Sequence, residues 1–195
     1  MSPQKQVSHS HKLIVISAPS GAGKTTLCHR LLADFPKLLL SISTTSRKPR
    51  GQEKNEIDYN FVSPEVFKKM IDNHEFAEWA LVHGNYYGTS MNVIQSAFDK
   101  DRAVLLDIDV QGAESLRKAF PKETFSVFIS PPSLEILEER LRNRKTDEEA
   151  SIQRRIENAR TEMKAAPFFQ KIVINDNLET AYQELKRLVL EELNS

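Results

Sequence analysis

The chain has a single cysteine, Cys28, which excludes an intrachain disulfide and suits a reducing compartment. It has no net charge, because 27 Lys and Arg balance 27 Asp and Glu. A broad electrostatic hold on nucleic acid or on a membrane surface is therefore not expected. No apolar run approaches membrane-spanning length. The histidines, His9, His11, His29, His74 and His83, show no zinc-ligand spacing with partners. There is no internal repeat and no low-complexity tract. Met1 to His11 is polar and has no signal-peptide core, so residues 1–11 read as a loose tail on a cytoplasmic protein. With 195 residues, 39% of them hydrophobic, residues 12–195 suffice for one globular domain with a sizeable core.

The most informative stretch is Ser17-Ala18-Pro19-Ser20-Gly21-Ala22-Gly23-Lys24-Thr25-Thr26. It follows the apolar run Leu13–Ile16 and leads into a helical pattern over 23–34, the strand–turn–helix context of a phosphate-binding loop. Glycines let backbone N–H groups close around phosphate oxygens, and the new helix adds its positive end. Lys24 supplies a mobile cation for the outer phosphates, and the Thr25 hydroxyl a ligand for Mg²⁺ carried by a nucleoside triphosphate. Ala18 stands at the first glycine position of G-x-x-x-x-G-K-[ST], so its backbone must avoid positive φ.

Apolar runs at Leu38–Ser43, Ala103–Asp109, Thr124–Ile129 and Lys171–Ile174 read as further strands. Helical patterns cover 91–98, 113–119, 133–143, 151–164 and 178–193, the last with Leu178, Ala181, Leu185, Leu188 and Val189 on one face. Strands alternating with helices predict an α/β fold, a parallel sheet flanked by helices with ligands beyond the strands' carboxyl ends. Between Gln52 and Gly88 the alternation stops. Tyr59–Val62 reads as a short strand, Ser63-Pro64-Glu65 opens a helix with serine as cap, and the rest is a mixed insertion.

Ser43-x-x-x-Arg47-x-x-Arg50 follows a strand end on the side of the loop, and arginine's planar fork suits phosphate. A solvated basic loop explains these residues equally well. The wider pattern decides between them. Ser41–Arg50, Asp58–Val62, Phe76–Ala80, Gly84–Gly88 and Leu106–Gly112 occur in the order and spacing of the guanylate kinase family. Together with the loop and a later basic segment, the chain resembles that family from Lys12 to its C-terminus.

The resemblance implies transfer of the γ-phosphoryl group of ATP to GMP, with Mg²⁺, giving ADP and GDP, with dGMP as a further acceptor. It implies a core of residues 12–43, 91–139 and 165–195, a GMP-binding insertion at 44–90 and a helical lid at 140–164. It assigns Arg47, Arg50, Tyr59 and Tyr87 to the GMP phosphate and Ser43, Glu78 and Thr89 to guanine. It assigns Arg140, Arg144 and Arg155 to the lid, with Arg142 an added candidate, and Asn175 to the adenine side.

Guanine's pairing edge fits this independently. A carboxylate accepts from both N1–H and the 2-amino group, and adenine would aim a lone pair at it. Asp107 and Asp109, two apart, are expected on one face of their strand, orienting Mg²⁺ through water or meeting the acceptor. The sequence leaves three other readings open: a non-catalytic phosphopeptide-binding relative, a GTPase and another nucleoside monophosphate kinase. A GTPase lacks support, since no N-K-x-D tetrad is present. Oligomeric state is not legible.

Overall fold

The computed structural model of the protein describes residues 11–82, 84–143 and 149–195. Five strands form one parallel sheet: β1 (Leu13–Ser17), β2 (Leu39–Leu40), β7 (Val104–Asp107), β8 (Thr124–Ser130) and β9 (Lys171–Ile174). Their order is β2-β7-β1-β8-β9, which puts the strand preceding the phosphate loop in the middle. Val15 stands beside Leu106 on one side and Ser126 on the other.

The continuous apolar run of β1 follows from that central position. Ile14 and Ile16 pack under α1 (Lys24–Asp34) and α7 (Leu178–Leu193), with Leu27, Leu31 and Leu185. Leu13 and Val15 face α3 (Met91–Phe98) and α4 (Val110–Ala119), with Ile94 and Leu116. All four are fully buried. Each such side chain stabilises the fold by about 1.5–3 kcal/mol relative to exposure. The strand is thus anchored from both faces, and its carboxyl end holds the loop in place.

A second, mixed sheet has the order β4-β3-β6-β5: β3 (Thr44–Thr45), β4 (Asn60–Phe61), β5 (Phe76–Val82) and β6 (Asn85–Ser90). The helix α2 (Pro64–Asp72) lies against it through Phe67, stacked between Phe76 at 4.5 Å and Tyr86 at 5.2 Å. Ser63 caps α2, its Oγ accepting from the Val66 amide at 3.2 Å, as the Ser-Pro-Glu start predicts. Two further helices, α5 (Leu134–Asn143) and α6 (Glu149–Met163), pack through Leu137, Leu141, Ile152 and Ile156.

Three local expectations need correction. The strand expected over Leu38–Ser43 is paired only at Leu39–Leu40. The chain then passes to the second sheet, with Ser43 C=O accepting from Asn60 and Thr44 pairing with Gly88. The strand expected over 103–109 ends at Asp107. Asp109 instead caps α4, its Oδ1 accepting from the amides of Gln111 at 2.7 Å and Gly112 at 3.2 Å. The two aspartates therefore do not share a strand face; aspartate's strength as a helix cap outweighs strand continuation there. Leu178, expected in the buried stripe of α7, is 40% exposed. Residues 1–10 of the expected tail lie outside the described residues, whereas His11 stacks on Phe98 at 4.7 Å.

Candidate active site

The loop between β1 and α1 is shaped by two glycines in the left-handed region, Gly21 at φ 96° and Gly23 at φ 89°. A Cβ on Gly23 would come within 2.5 Å of Asn175 Nδ2, and one on Gly21 within 2.9 Å of a Leu141 methyl. The loop is thus packed from behind by α5 and by the end of β9. Ala18 is not among the residues with positive φ, so the first-glycine departure costs no backbone strain. Lys24, at the start of α1, reaches across to Asp107 at 2.5 Å and to the Ile108 carbonyl at 3.1 Å. Burial opposes the charge of Lys24, but the Asp107 carboxylate outweighs it and raises the ammonium pKa.

Opposite the loop stands the second sheet. One cleft of about 360 Å³ is lined by Ala18, Pro19, Ser20, Gly21, Gly23, Lys24, Thr25 and Thr26 on one side, and by Ser43, Tyr59, Glu78 and Tyr87 on the other. Asp107 and Asp109 lie at its floor, with Ile108 between them. Glu78 is 6% exposed and accepts from Thr89 Oγ1 at 2.6 Å. Burial is the main force pushing its carboxyl up to about 7; the Asp109 charge adds to it, and Thr89 opposes it.

Arg47 is buried in the same wall. Its Nε donates to Tyr87 Oη at 3.2 Å, and its two terminal nitrogens meet the two Glu53 oxygens at 2.8 and 3.0 Å. The guanidinium also lies 5.2 Å from the Tyr59 ring centre. Glu53 holds it firmly protonated. Arg50 is exposed, and its amide donates to Glu53 as well, at 2.7 Å.

Among the described residues, Arg140, Arg142, Arg155 and Asn175 do not line the cleft. Arg140 donates to the Asn175 and Asp176 carbonyls at 2.8 and 3.0 Å. Arg142 is paired with Glu138 and Glu149. Arg155 lies on α6 with interactions of its own, and Arg144 falls outside the described residues. The Asn175 side chain donates to the Ala22 carbonyl at 2.7 Å, so it supports the loop from beneath.

Comparison with known proteins agrees with this geometry. The family model described as guanylate kinase matches residues 10–192. The chain is 49% identical to a guanylate kinase of Nitratidesulfovibrio vulgaris over 180 residues, 92% of this chain and 86% of that one. It is 44% identical to a guanylate kinase of Myxococcus xanthus over 181 residues, again 92% and 86%. The crystal structure of guanylate kinase from Anaplasma phagocytophilum superposes with a TM-score of 0.80 at 28% identity, covering 97% of this chain and 89% of that chain. The chain belongs to the guanylate kinase family.

Within this guanylate kinase framework, two acids escaped the sequence reading. Glu53 orients Arg47, and only the loop's return to the arginine brings the two together. Glu162, near the end of α6, lines the cleft beside the phosphate loop, and its buried Oε2 has no hydrogen-bond partner among the described residues. Burial pushes the Glu162 carboxyl up to about 7, against the pull of Lys24 and the Ser20 amide. No periodic or motif signal marks either residue. Cys28 is buried, and burial pushes its thiol up, in keeping with a bystander.

Proposed function

We propose that the protein transfers the γ-phosphoryl group of ATP to GMP, and to dGMP, as a Mg²⁺-dependent enzyme of cytoplasmic purine nucleotide metabolism and GMP recycling. ATP-dependent phosphorylation of GMP is the reaction of its family, and each part of the cleft has a use in it. The loop amides and Lys24 take the triphosphate of the donor. Arg47, Arg50, Tyr59 and Tyr87 take the phosphate of the acceptor, which is the nucleophile. That phosphate is already ionised near neutral pH, its second pKa being about 6, so no strong general base is needed. What remains is to align two anions and spread charge at the transferring group.

The donor set for Mg²⁺ suits a metal that arrives with the nucleotide. Among the described residues, no group of three or more His, Cys, Asp or Glu could hold an ion by itself. Thr25, with Asp107 or Asp109, offers hard oxygens in number enough to complement phosphate ligands. Bound there, Mg²⁺ would neutralise charge on the phosphates. The family resemblance assigns Arg140, Arg144 and Arg155 to a lid whose closure would exclude water; here Arg140 is tied to the Asn175 and Asp176 carbonyls.

The observation that carries this reading is Glu78: a buried carboxylate, held by Thr89, facing a phosphate loop across one cleft. Guanine donates two hydrogen bonds to such a group, and adenine cannot. A coupled assay with Mg-ATP and GMP, dGMP, AMP or UMP as acceptor tests it, alongside calorimetry with GMP. Turnover confined to GMP and dGMP is expected; equal use of AMP, or no heat of GMP binding, overturns the reading.

A further inference from the structure

Gly112 lies in the first turn of α4, directly behind Glu78. A Cβ built on it would come within 2.6 Å of Glu78 Oε2 and 3.1 Å of Cδ. Its own amide donates to Asp109 Oδ1 at 3.2 Å, so the residue is fixed to the floor of the cleft by one atom and touches the base-reading wall with another. Glu78 is therefore held at two points. Oε1 is tied to Thr89 Oγ1 at 2.6 Å, and Oε2 rests in the space left by the missing side chain.

We infer that Gly112 is a specificity-positioning residue, setting where the Glu78 carboxylate meets the acceptor base through the bare Cα it presents in α4. The inference rests on Glu78 reading the base. Three facts separate this from an ordinary packing role. Gly112 is not among the glycines with positive φ, so its backbone accepts an L side chain without strain. It is in a helix, where alanine is intrinsically preferred to glycine. The three atoms nearest to such a Cβ all belong to the carboxyl end of Glu78. A methyl group at 112 is thus cheap for the fold and costly for the position of one carboxylate. A glycine here sacrifices local helix preference for that position.

The test compares G112A, E78Q and the double variant G112A/E78D, using GMP and IMP as acceptors with Mg-ATP. Hypoxanthine keeps N1–H and O6 but lacks the 2-amino group, so the GMP-to-IMP ratio of kcat/KM reads the carboxylate's reach to that group. G112A is expected to raise KM for GMP and lower this ratio by about tenfold. KM for ATP and the melting temperature should stay near those of the parent. Shortening the acid by one methylene in G112A/E78D withdraws it from the added methyl, and should recover part of the ratio. A merely structural glycine would instead lower stability and affect both substrates, with no recovery in the double variant. If E78Q lowers the ratio and G112A leaves KM for GMP and the ratio unchanged, the role assigned to Gly112 is overturned. If E78Q itself leaves the ratio unchanged, Glu78 is not the base reader and the inference falls with it.

Discussion

Arg47 and Glu53 face each other as a two-pronged pair, with nitrogen-to-oxygen distances of 2.8 and 3.0 Å, and Glu53 also accepts the Arg50 amide at 2.7 Å. One acid thus orients the Arg47 guanidinium and ties down the backbone at Arg50. The Arg47 guanidinium also lies 5.2 Å from the ring centre of Tyr59, and Tyr87 accepts from its Nε; both tyrosines line the cleft. The carboxylate offsets part of the field of the Arg47 charge but fixes its geometry, and phosphate recognition depends on that geometry.

Glu53→Gln should therefore raise KM for GMP by about tenfold while leaving KM for ATP unchanged, an effect on the order of one charge-assisted hydrogen bond. Steady-state kinetics with each substrate varied in turn checks it. A variant with tighter GMP binding would mean that Glu53 competes with the acceptor phosphate rather than preparing its site.

Lys24 is held by Asp107 and the Ile108 carbonyl, and so spans from the phosphate loop to the floor of the cleft. Its ammonium can pass from the carboxylate to phosphate oxygens without leaving the cleft. Lys24→Met keeps the apolar stem and removes the charge. Turnover should fall by at least about tenfold, while circular dichroism and the melting temperature remain close to the parent. Near-normal kcat in the folded variant would remove Lys24 from the reaction.

Glu78 carries the pH dependence. With its pKa raised to about 7 by burial, the carboxyl is largely protonated in mildly acidic solution, and a protonated carboxyl offers guanine one acceptor fewer. kcat/KM for GMP should therefore fall as pH drops through about 7. The GMP phosphate adds a limb of its own near pH 6. Only the part of the profile that disappears in Glu78→Gln belongs to Glu78. The same shift acts on stability with the opposite slope. The folded protein keeps this proton where the unfolded chain, near 4.5, has lost it. The Glu78 contribution thus makes the protein less stable as pH rises from about 4.5 to about 7, and it is missing in Glu78→Gln. Urea unfolding of both proteins at several pH values measures the difference.

Much of the fold is written in local pattern. Met91–Phe98 and Leu178–Leu193 appear where periodicity puts them, because each owes its pattern to one buried face, and Lys171–Ile174 appears as an edge strand anchored by Val173 alone. The phosphate loop is legible for a related reason: its glycines and Lys24 act within ten residues of each other. What was not legible depends on distant partners. The passage of the chain from the first sheet to the second at Ser41–Thr44 is decided by Asn60 and Gly88, far along the sequence. Asp109 reads as the end of a strand until the start of α4 claims it as a cap. Glu162 has no neighbouring motif, and only the packing of α6 brings it to the loop.

Asn175 gives the sharpest test of how the loop is held. Its side chain is buried, donates to the Ala22 carbonyl at 2.7 Å, and occupies the space a Cβ on Gly23 would need. Its backbone amide donates to Ser130 at 2.8 Å and its carbonyl accepts from Arg140 at 2.8 Å, so the residue itself is pinned to β8 and α5. Asn175→Ala would leave the Ala22 carbonyl without this donor and open a void beneath Gly23. An orphaned buried acceptor costs about 1–3 kcal/mol, which in a domain of this size lowers the melting temperature by about 2–4 °C per kcal/mol. The loop would then sample conformations in which its amides no longer converge. KM for ATP should rise several-fold, while KM for GMP, set by the opposite wall, should not change. A rise confined to GMP would place the support of Asn175 on the acceptor side and contradict the contact with Ala22.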